Sequence, residues 1–412
     1  MNLHRNPIPV EDAINKVLAC QIKGDIERIP LMDADNRILS EDLIADHDVP
    51  LFDRSPYDGY ALIANDTIDA SLHNPIVLDV VGAIGAGSVY TEPLQPSQAI
   101  RIMTGAKIPT NADCVIMLED ITEDSPSQIK LIKKMKKNQN ISFQGEDVAK
   151  GTVIVKKGTK INPGIVALLA TFGYKDVPVY KRPVIGVMAT GSELIEVGEP
   201  LEEGKIRNSN AYMIISQIKR AGAIAKYYGQ VSDVLEECVE QMKRALNEVD
   251  FLITTGGVSV GDYDLLPAIY QQMDAEVLFN KVAMRPGSVT TVSTINEKIL
   301  FGLSGNPSAC YVGFELFAKP MIDTYLAKES IGLKIEKAIL SESIDKKNSF
   351  DRFIRGKAYM EKGQLHVKLS GKDKSNMVHS LAEANCLIHL QAGRDDYRKG
   401  AVVDIRLIDE LY

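Results

Sequence analysis

Three short segments combine glycine with serine or threonine, a composition that suits the binding of an anionic small molecule. They are residues 190–193 (TGSE), 255–264 (TGGVSVGDYD) and 303–308 (LSGNPS). Glycine lets backbone N–H groups approach a ligand, and helix N-termini favour negative charge. None of the three is a Walker A motif or a GxGxxG motif followed by a helix. The segments therefore predict a phosphate-bearing ligand without either of these nucleotide-binding motifs.

Acidic side chains occupy the first two of these loops. Glu193, Asp262 and Asp264 would be repelled by a phosphate beside them, which indicates that a divalent cation such as Mg²⁺ stands between the two. The alternative is that they cap helices and form turns, as Asp and Glu commonly do. Asp233 fits that alternative well, because it lies just before the helix predicted from Leu235.

Lys281 and Arg285 are candidates for the matching positive charge. Their spacing places them on one side of a helical turn if that turn exists. The alternative is that they are two surface charges.

A second cluster lies in the first half of the chain. Residues 53–60 (DRSPYDGY) hold two acids and two tyrosines, residues 101–106 (RIMTGA) form a loop of small residues, and residues 145–147 (GED) add an acidic pair. Taken alone, Asp58-Gly59 is typical of a β-hairpin turn.

Composition narrows the class of protein. Of 412 residues, 47 are Lys or Arg and 55 are Asp or Glu, and the net charge of −8 argues weakly against binding of duplex nucleic acid. The five cysteines and six histidines are dispersed without zinc-ligand spacing, and there is no GxSxG motif. The start is not a signal peptide, and no stretch is apolar enough to span a membrane. We expect a cytoplasmic protein that contacts neither nucleic acid nor membrane.

The hydrophobic pattern predicts the elements that position these loops. An amphipathic helix is expected at 9–20, and a mostly β region follows from 27 to 121. Between about 182 and 325, apolar strands alternate with glycine loops and helices, a pattern typical of an α/β domain with a parallel sheet. The strands are 184–189, 251–255 and 299–303, and the helices are 210–221, 235–249 and 307–317, the last with Asn306 as N-cap. After about 334 the chain is again β-like.

Seven motifs, taken in order, resemble the molybdopterin molybdenumtransferase family, the bacterial MoeA type shared with the C-terminal part of gephyrin. They are FDRSPYDGYA at 52–61, RIMTGA at 101–106, GED at 145–147, TGSEL at 190–194, TGGVSVGDYD at 255–264, RPG at 285–287 and GNP at 305–307. Each is weak alone, but the ordered set is highly specific and covers nearly the whole chain.

The resemblance implies a transferase that inserts molybdenum from molybdate into adenylylated molybdopterin, with Mg²⁺ as cofactor and release of AMP. The pterin's two dithiolene sulfurs would bind the molybdenum, so the protein would need no soft ligands. It implies an elongated homodimer with the site in a cleft between subunits. It also leaves room for contact with the molybdopterin adenylyltransferase and other cofactor-biosynthesis proteins.

The fold class expected from pattern and resemblance together is multidomain α/β plus β. A central α/β parallel-sheet molybdopterin-binding domain would be joined by a mostly β domain, a linking domain and a C-terminal β domain. The expected bounds are 1–26 for an N-terminal helix packing on the α/β domain, 27–52 and 143–180 for the linking domain, 53–142 for the mostly β domain, 181–328 for the α/β domain and 329–412 for the C-terminal β domain.

Carried over position by position, the resemblance assigns site residues. The expected catalytic residues are Asp58, Thr104, Asp147, Glu193, Asp233, Asp264, Lys281 and Arg285. The expected contacts to the pterin substrate are Gly256, Gly257, Ser259, Gly305, Asn306, Arg355 and Ser375. Metal ligands would come from Asp58, Asp147, Glu193 and Asp264. Arg285 and Ser288 stand where many members have lysines. Arg285 keeps the positive charge on a planar guanidinium, whereas Ser288 carries no charge and removes one contact to an anion.

Three other functions remain open at this point. The first alternative is a receptor-clustering scaffold like gephyrin, the second is a non-catalytic pterin carrier, and the third is an enzyme that inserts tungsten. Molybdate-dependent release of AMP distinguishes a transferase from the first two, and competition between the oxyanions tests the third.

Overall fold

The computed structural model describes residues 6–20, 22–231, 234–257, 266–345, 349–395 and 397–408. The helices are α1 (Val10–Leu18), α2 (Pro163–Thr171), α3 (Ser209–Arg220), α4 (Leu235–Glu248), α5 (Leu266–Gln272), α6 (Pro307–Gly313) and α7 (Lys319–Tyr325). The strands are β1 (Ile26–Pro30), β2 (Leu43–Ile44), β3 (Gly59–Leu62), β4 (Ile76–Ile84), β5 (Gln98–Ile102), β6 (Cys114–Met117), β7 (Ile121–Asp124), β8 (Gln128–Leu131), β9 (Val153–Val155), β10 (Asp176–Tyr180), β11 (Val184–Thr190), β12 (Leu194–Ile195), β13 (Ile206–Arg207), β14 (Ile224–Val231), β15 (Phe251–Thr255), β16 (Glu276–Phe279), β17 (Met284–Arg285), β18 (Thr291–Ile295), β19 (Lys298–Leu303), β20 (Lys334–Leu340), β21 (Asp351–Glu361), β22 (Gln364–Leu369), β23 (Cys386–Leu390) and β24 (Val402–Leu407).

The chain forms two compact units. One comprises Met1–Glu41, Lys157–Val166 and Asp176–Tyr412, and the other comprises Asp42–Lys156 and Ala167–Lys175. The second unit is therefore inserted into the sequence of the first.

A six-stranded sheet in the order β14-β11-β15-β19-β18-β16 forms the centre of the first unit. The pairings β14–β11, β11–β15 and β15–β19 are parallel, whereas β18 and β16 are antiparallel to their neighbours. The chain passes from β11 through α3 to β14, and then through α4 to β15 on the other side of β11. The strand order therefore reverses between β11 and β15, which is where ligands bind in open α/β sheets.

Alternating side chains bury both faces of this sheet. Phe251, Ile253 and Phe301 face one hydrophobic cluster, which also contains side chains of α1, α3, α6 and α7. Leu252 and Leu300 face a second cluster formed with α4 and α5. The near-continuous apolar runs in the sequence are explained by this two-sided burial.

The C-terminal strands close into a small barrel. β21 pairs with β22 along Gly356–Glu361 and with β23 along Arg352–Gly356, and β22, β20, β24 and β23 complete the ring. β17 adds to β21 in parallel. A cluster that includes Ile354, Val367 and Ile388 fills the interior.

The second unit contains a six-stranded sheet in the order β6-β3-β5-β4-β8-β7. Neighbouring residues of β3 face opposite sides, because Tyr60 and Leu62 belong to one hydrophobic cluster and Ala61 to another. A short pairing of β2 with β9 also lies in this unit.

The expected fold class, multidomain α/β plus β, is confirmed, but two local structures that the residue spacing suggested are not formed. Lys281 and Arg285 do not share a helical turn, because Ile8 bridges to Val282 and Met284–Arg285 forms β17. Asp58-Gly59 is not a hairpin turn, because Gly59 begins β3, between β5 and β6. Among the described residues, no helix has both the length and the apolar character that crossing a membrane requires.

Candidate functional site

The carboxyl ends of three parallel strands lie side by side. Ala189 of β11 pairs with Thr255 of β15, and Thr255 pairs with Leu303 of β19. The Thr190 hydroxyl donates to the Thr255 carbonyl at 3.3 Å, and the Gly256 N–H donates to the Leu303 carbonyl at 2.9 Å. The three loops predicted from the sequence therefore start from one edge of the sheet.

Gly256 is required by this close approach. Its φ is +91°, and a Cβ at this position would lie 2.5 Å from the Thr190 carbonyl oxygen. Gly257 also has positive φ, at +67°. A Cβ on Gly305 would lie 3.6 Å from the Cα of Gly256, so the second and third loops touch through two glycines. The site residues Gly256 and Gly305 are brought together.

Glu193 is exposed and its carboxylate folds back over its own loop. A Cβ on Gly191, whose φ is +137°, would lie 2.5 Å from Glu193 Oε2. The Glu193 carbonyl accepts a hydrogen bond from the Ile206 N–H at 2.9 Å, beside the short pairing of β12 with β13. The main chain of Glu193 is therefore fixed while its carboxylate faces solvent.

The loop containing Gly305 and Asn306 is anchored from two sides. The Asn210 side chain at the start of α3 donates to the Gly305 carbonyl at 2.8 Å. Ser308, in the first turn of α6, donates through its N–H to the Ser375 carbonyl at 3.0 Å and through its hydroxyl to the Met377 carbonyl at 2.8 Å. The predicted contact Ser375 is thus placed beside the predicted contacts Gly305 and Asn306.

Arg355 lies beneath the segment that carries Ser375. Its side chain is 1% exposed, and it donates to Asp373 Oδ1 at 3.0 Å and to the carbonyls of Lys372 and Lys374 at 3.3 and 3.2 Å. Burial lowers the pKa of the guanidinium, and the Asp373 carboxylate opposes that shift. These contacts hold the segment in place.

The RPG turn approaches the same helix start. A Cβ on Gly287, whose φ is +87°, would lie 3.2 Å from the carbonyl oxygen of Ala309 in α6. Arg285 is exposed and pairs in register with Arg352 of the barrel. Lys281 is half-buried and its carbonyl accepts from the Ile8 N–H at 3.2 Å. The turn is therefore near the GNP loop, with Arg285 open to solvent.

Asp58 and Thr104 meet in the second unit. The register of β3 and β5 pairs Gly59 with Ile102, which places Asp58 beside the chain leaving β5. Asp58 Oδ1 accepts from the Thr104 N–H at 2.7 Å and from its hydroxyl at 2.8 Å. These two hydrogen bonds, with a smaller contribution from the charge of Arg101, lower the pKa of Asp58. The exposed carboxylate is therefore ionised at neutral pH.

Asp147 lies on an exposed loop of the same unit. Its N–H donates to the Val49 carbonyl at 3.0 Å, and Gly145, with φ +73°, donates to the Pro50 carbonyl at 2.9 Å. The loop is fixed by main-chain bonds, and the Asp147 side chain is accessible to a ligand.

Asp233, Ser259, Asp262 and Asp264 lie outside the described residues, so their predicted roles stay predictions. Within the described ranges, no group of three or more His, Cys, Asp or Glu side chains is arranged to hold a metal ion.

Sequence reasoning missed the polar residues that join the loops. Asn208 caps α3 by accepting from the Ala211 N–H at 3.2 Å, and Asn210 holds Gly305. The available signal was the segment NSN at 208–210 directly before an apolar-periodic helix, which is typical of a helix start. The loops and helix starts together offer backbone donors and hydroxyls to an anion at the sheet edge.

Comparison with known proteins identifies this arrangement. Residues 8–173 match the MoeA N-terminal region (domain I and II), residues 186–324 match a probable molybdopterin binding domain, and residues 337–408 match the MoeA C-terminal region (domain IV). A molybdopterin molybdenumtransferase of Bacillus subtilis is 52% identical over 409 residues, covering 98% of this chain and 95% of the relative. The chain belongs to the molybdopterin molybdenumtransferase family. It is accordingly a transferase of molybdenum cofactor biosynthesis.

Two further members show how far the likeness extends. The molybdopterin molybdenumtransferase of Staphylococcus aureus strain MSSA476 is 47% identical over 405 residues, covering 98% of this chain and 96% of the relative. The crystal structure of a molybdopterin biosynthesis MoeA protein from Pyrococcus horikoshii OT3 superposes with a TM-score of 0.83 at 33% identity, covering 98% of this chain and 100% of the other. The family fold is therefore shared over almost the full length.

Proposed function

We propose that this transferase inserts molybdenum from molybdate into adenylylated molybdopterin, with Mg²⁺ and with release of AMP. The observation that carries the proposal is the meeting of Gly256, Gly305 and the Ser375 segment at the edge where β11, β15 and β19 end. This edge combines close backbone approach, a helix start and an exposed carboxylate, Glu193. Such a set suits a substrate that carries several phosphate charges.

The donor chemistry fits Mg²⁺. Asp58, Asp147 and Glu193 are exposed carboxylates, and Mg²⁺ takes oxygen ligands, commonly one or two carboxylates together with substrate phosphates. When bound, Mg²⁺ would neutralise phosphate charge at the anhydride that is cleaved. Asp264 is proposed as a further ligand on the basis of its motif.

The remaining residues bind and orient the substrates. Gly256 and Gly257 would present N–H groups to the pterin phosphate, and Asn306 would add a polar contact. Thr104 holds Asp58 in its ionised form through two hydrogen bonds. Arg285 is exposed and would neutralise molybdate or the developing charge on AMP, with Lys281 as its half-buried neighbour.

The test mixes the purified chain with adenylylated molybdopterin, molybdate and Mg²⁺ and measures AMP release and active cofactor. Glu193→Gln and Asp58→Asn each remove one charge at nearly constant shape, and we expect each to lower turnover about 100-fold. Asp79→Asn is the matched control, because Asp79 is an exposed carboxylate on β4 that accepts a hydrogen bond from the Gln128 side chain at 2.9 Å. Full activity of both site variants would overturn the assignment.

The same assay on the wild-type chain distinguishes the candidate functions. Absence of molybdate-dependent AMP release would leave a pterin carrier, and peptide binding without turnover would indicate a scaffold. Insertion of tungsten in preference to molybdenum, with both oxyanions supplied, would correct the substrate. We also propose a cytoplasmic homodimer, which light scattering of the purified chain tests for oligomeric state and fractionation of cells for location.

A further inference from the structure

Glu196, three residues after Glu193, is the centre of a polar network that neither the motifs nor the mechanism uses. Its carboxylate accepts a short hydrogen bond from the Tyr227 hydroxyl on β14, a bond of 2.9 Å from the Tyr212 hydroxyl on α3, and one of 3.4 Å from the Asn208 side chain. The two tyrosine rings lie 5.8 Å apart. The network therefore joins the loop after β11 to a helix and a strand.

The protonation states in the network are well defined. Partial burial would raise the pKa of Glu196, but hydrogen bonds from Tyr227, Tyr212 and Asn208 outweigh it and lower the pKa. Burial and the neighbouring carboxylate raise the pKa of Tyr227. At neutral pH one anionic acceptor thus faces two neutral hydroxyl donors, an arrangement that makes strong hydrogen bonds.

The network reaches the site through hydrogen bonds of Asn208 and Asn210. Asn208 donates its N–H to the Ile195 carbonyl at 2.9 Å, caps α3, and donates its side chain to the Tyr227 hydroxyl at 2.8 Å. Two residues later, Asn210 holds the Gly305 carbonyl at 2.8 Å. The position of Glu193 relative to Gly305 therefore depends on how Glu196 and Asn208 seat the loop against α3.

We propose that Glu196, held by Tyr227, is a positioning residue of the transferase: it seats the loop of residues 190–196 on the start of α3 and so fixes Glu193 against the Gly305 loop. The kinetic part of this inference rests on the proposed function. The structural part concerns the loop alone and stands independently of the reaction.

The experiment uses Tyr227→Phe and Glu196→Ala in the full-length chain. Tyr227→Phe removes one hydroxyl and keeps the ring, so it remains informative if Glu196→Ala fails to fold. Tyr228→Phe is the matched control, because Tyr228 is the next residue on β14 and its hydroxyl bonds Glu248 of α4 at 2.8 Å, outside the network. We expect Tyr227→Phe and Glu196→Ala to lower kcat about ten-fold, since a hydrogen bond to a charged group is lost, and Tyr228→Phe to leave it unchanged.

A second comparison separates positioning from general stability. If Glu196 acts through Glu193, adding Glu196→Ala to Glu193→Gln costs less than about two-fold in kcat beyond Glu193→Gln alone. Multiplication of the two losses, or equal damage from Tyr228→Phe, would overturn the proposal.

Hydrogen exchange supplies a readout that does not need turnover. The amides of Ile206 and Asn208 donate to the carbonyls of Glu193 and Ile195, and we expect both to exchange about ten-fold faster in Tyr227→Phe but not in Tyr228→Phe. Unchanged exchange would refute the seating of the loop. Faster exchange in a chain whose wild type releases no AMP would instead refute the proposed function and keep the positioning role.

Discussion

Replacing Gly256 by alanine tests whether the close approach of two loops organises the site. The residue has φ +91°, and the new Cβ would lie 2.5 Å from the Thr190 carbonyl oxygen, a backbone atom. The left-handed conformation costs alanine about 1–2 kcal/mol, and shifting the backbone out of contact adds about 1–3 kcal/mol. The expected loss in free energy of unfolding is therefore about 2–5 kcal/mol, the sum of these two costs.

Gly198→Ala separates these two contributions. Gly198 has φ +99°, and a Cβ there would meet no atom within 4 Å, so only the conformational cost of about 1–2 kcal/mol applies. Urea unfolding followed by tyrosine fluorescence suits both variants, since the chain has 15 tyrosines and no tryptophan.

Turnover provides the decisive comparison. A displacement of about 1 Å at a reacting group costs about 100-fold in rate, so folded Gly256→Ala should lose turnover on that scale while Gly198→Ala keeps it. Equal stability of the two variants together with full turnover of Gly256→Ala would refute the argument that Thr190 and Gly256 must touch.

Two further predictions concern charged groups. Thr104→Val removes a hydroxyl donor and should raise the pKa of Asp58 toward its ordinary value of 3.8, measured by ¹³C NMR of labelled aspartate; an unchanged pKa would contradict the role of Thr104. The ionised Asp58 carboxylate stabilises the folded state at pH values above 3.8. This contribution is lost as the pH falls through the lower pKa that Asp58 has in the folded state. Arg355→Met removes the partner of Asp373 Oδ1 while Arg352 still pairs with Asp373 Oδ2 at 2.9 Å, and it should destabilise the barrel by about 1–3 kcal/mol in urea unfolding. Lys357→Met, which removes an exposed ion pair with Glu383, should leave the free energy of unfolding almost unchanged, and an equal loss in both variants would contradict the argument.

The sequence predicted those elements whose burial is two-sided and continuous. The runs at 251–255 and 299–303 became β15 and β19 because alternating side chains face two hydrophobic clusters. The α3 and α4 helices followed from apolar residues spaced at one face. Asn306 and Pro307 stand at the N-cap and first position of α6 as expected.

Other features depend on partners far away in the sequence. Asp58-Gly59 has the composition of a turn, but β5 and β6 pair with Gly59 on both sides and a Cβ there would lie 2.0 Å from the Ile116 carbonyl oxygen. The spacing of Lys281 and Arg285 suits a helix, but pairing with Ile8 and with β21 determines the local structure. In the Glu196 network, the hydrogen bond from Tyr227 to Glu196 joins residues that are 31 positions apart in the sequence, and no local pattern indicates it.

The insertion of one compact unit within the other sets an order for folding during synthesis. β1 pairs with β10, yet the whole of the second unit is translated between them. At about 5–20 residues per second, the roughly 145 intervening residues leave the β1 edge without its partner for about 7–30 s on the ribosome. The second unit is complete in the nascent chain before the first unit. At that stage Phe251, which packs in the same hydrophobic cluster as the apolar face of α1, has not yet been synthesised. The N-terminal segment of the first unit, Met1–Glu41, is therefore where a molecular chaperone would protect the growing chain.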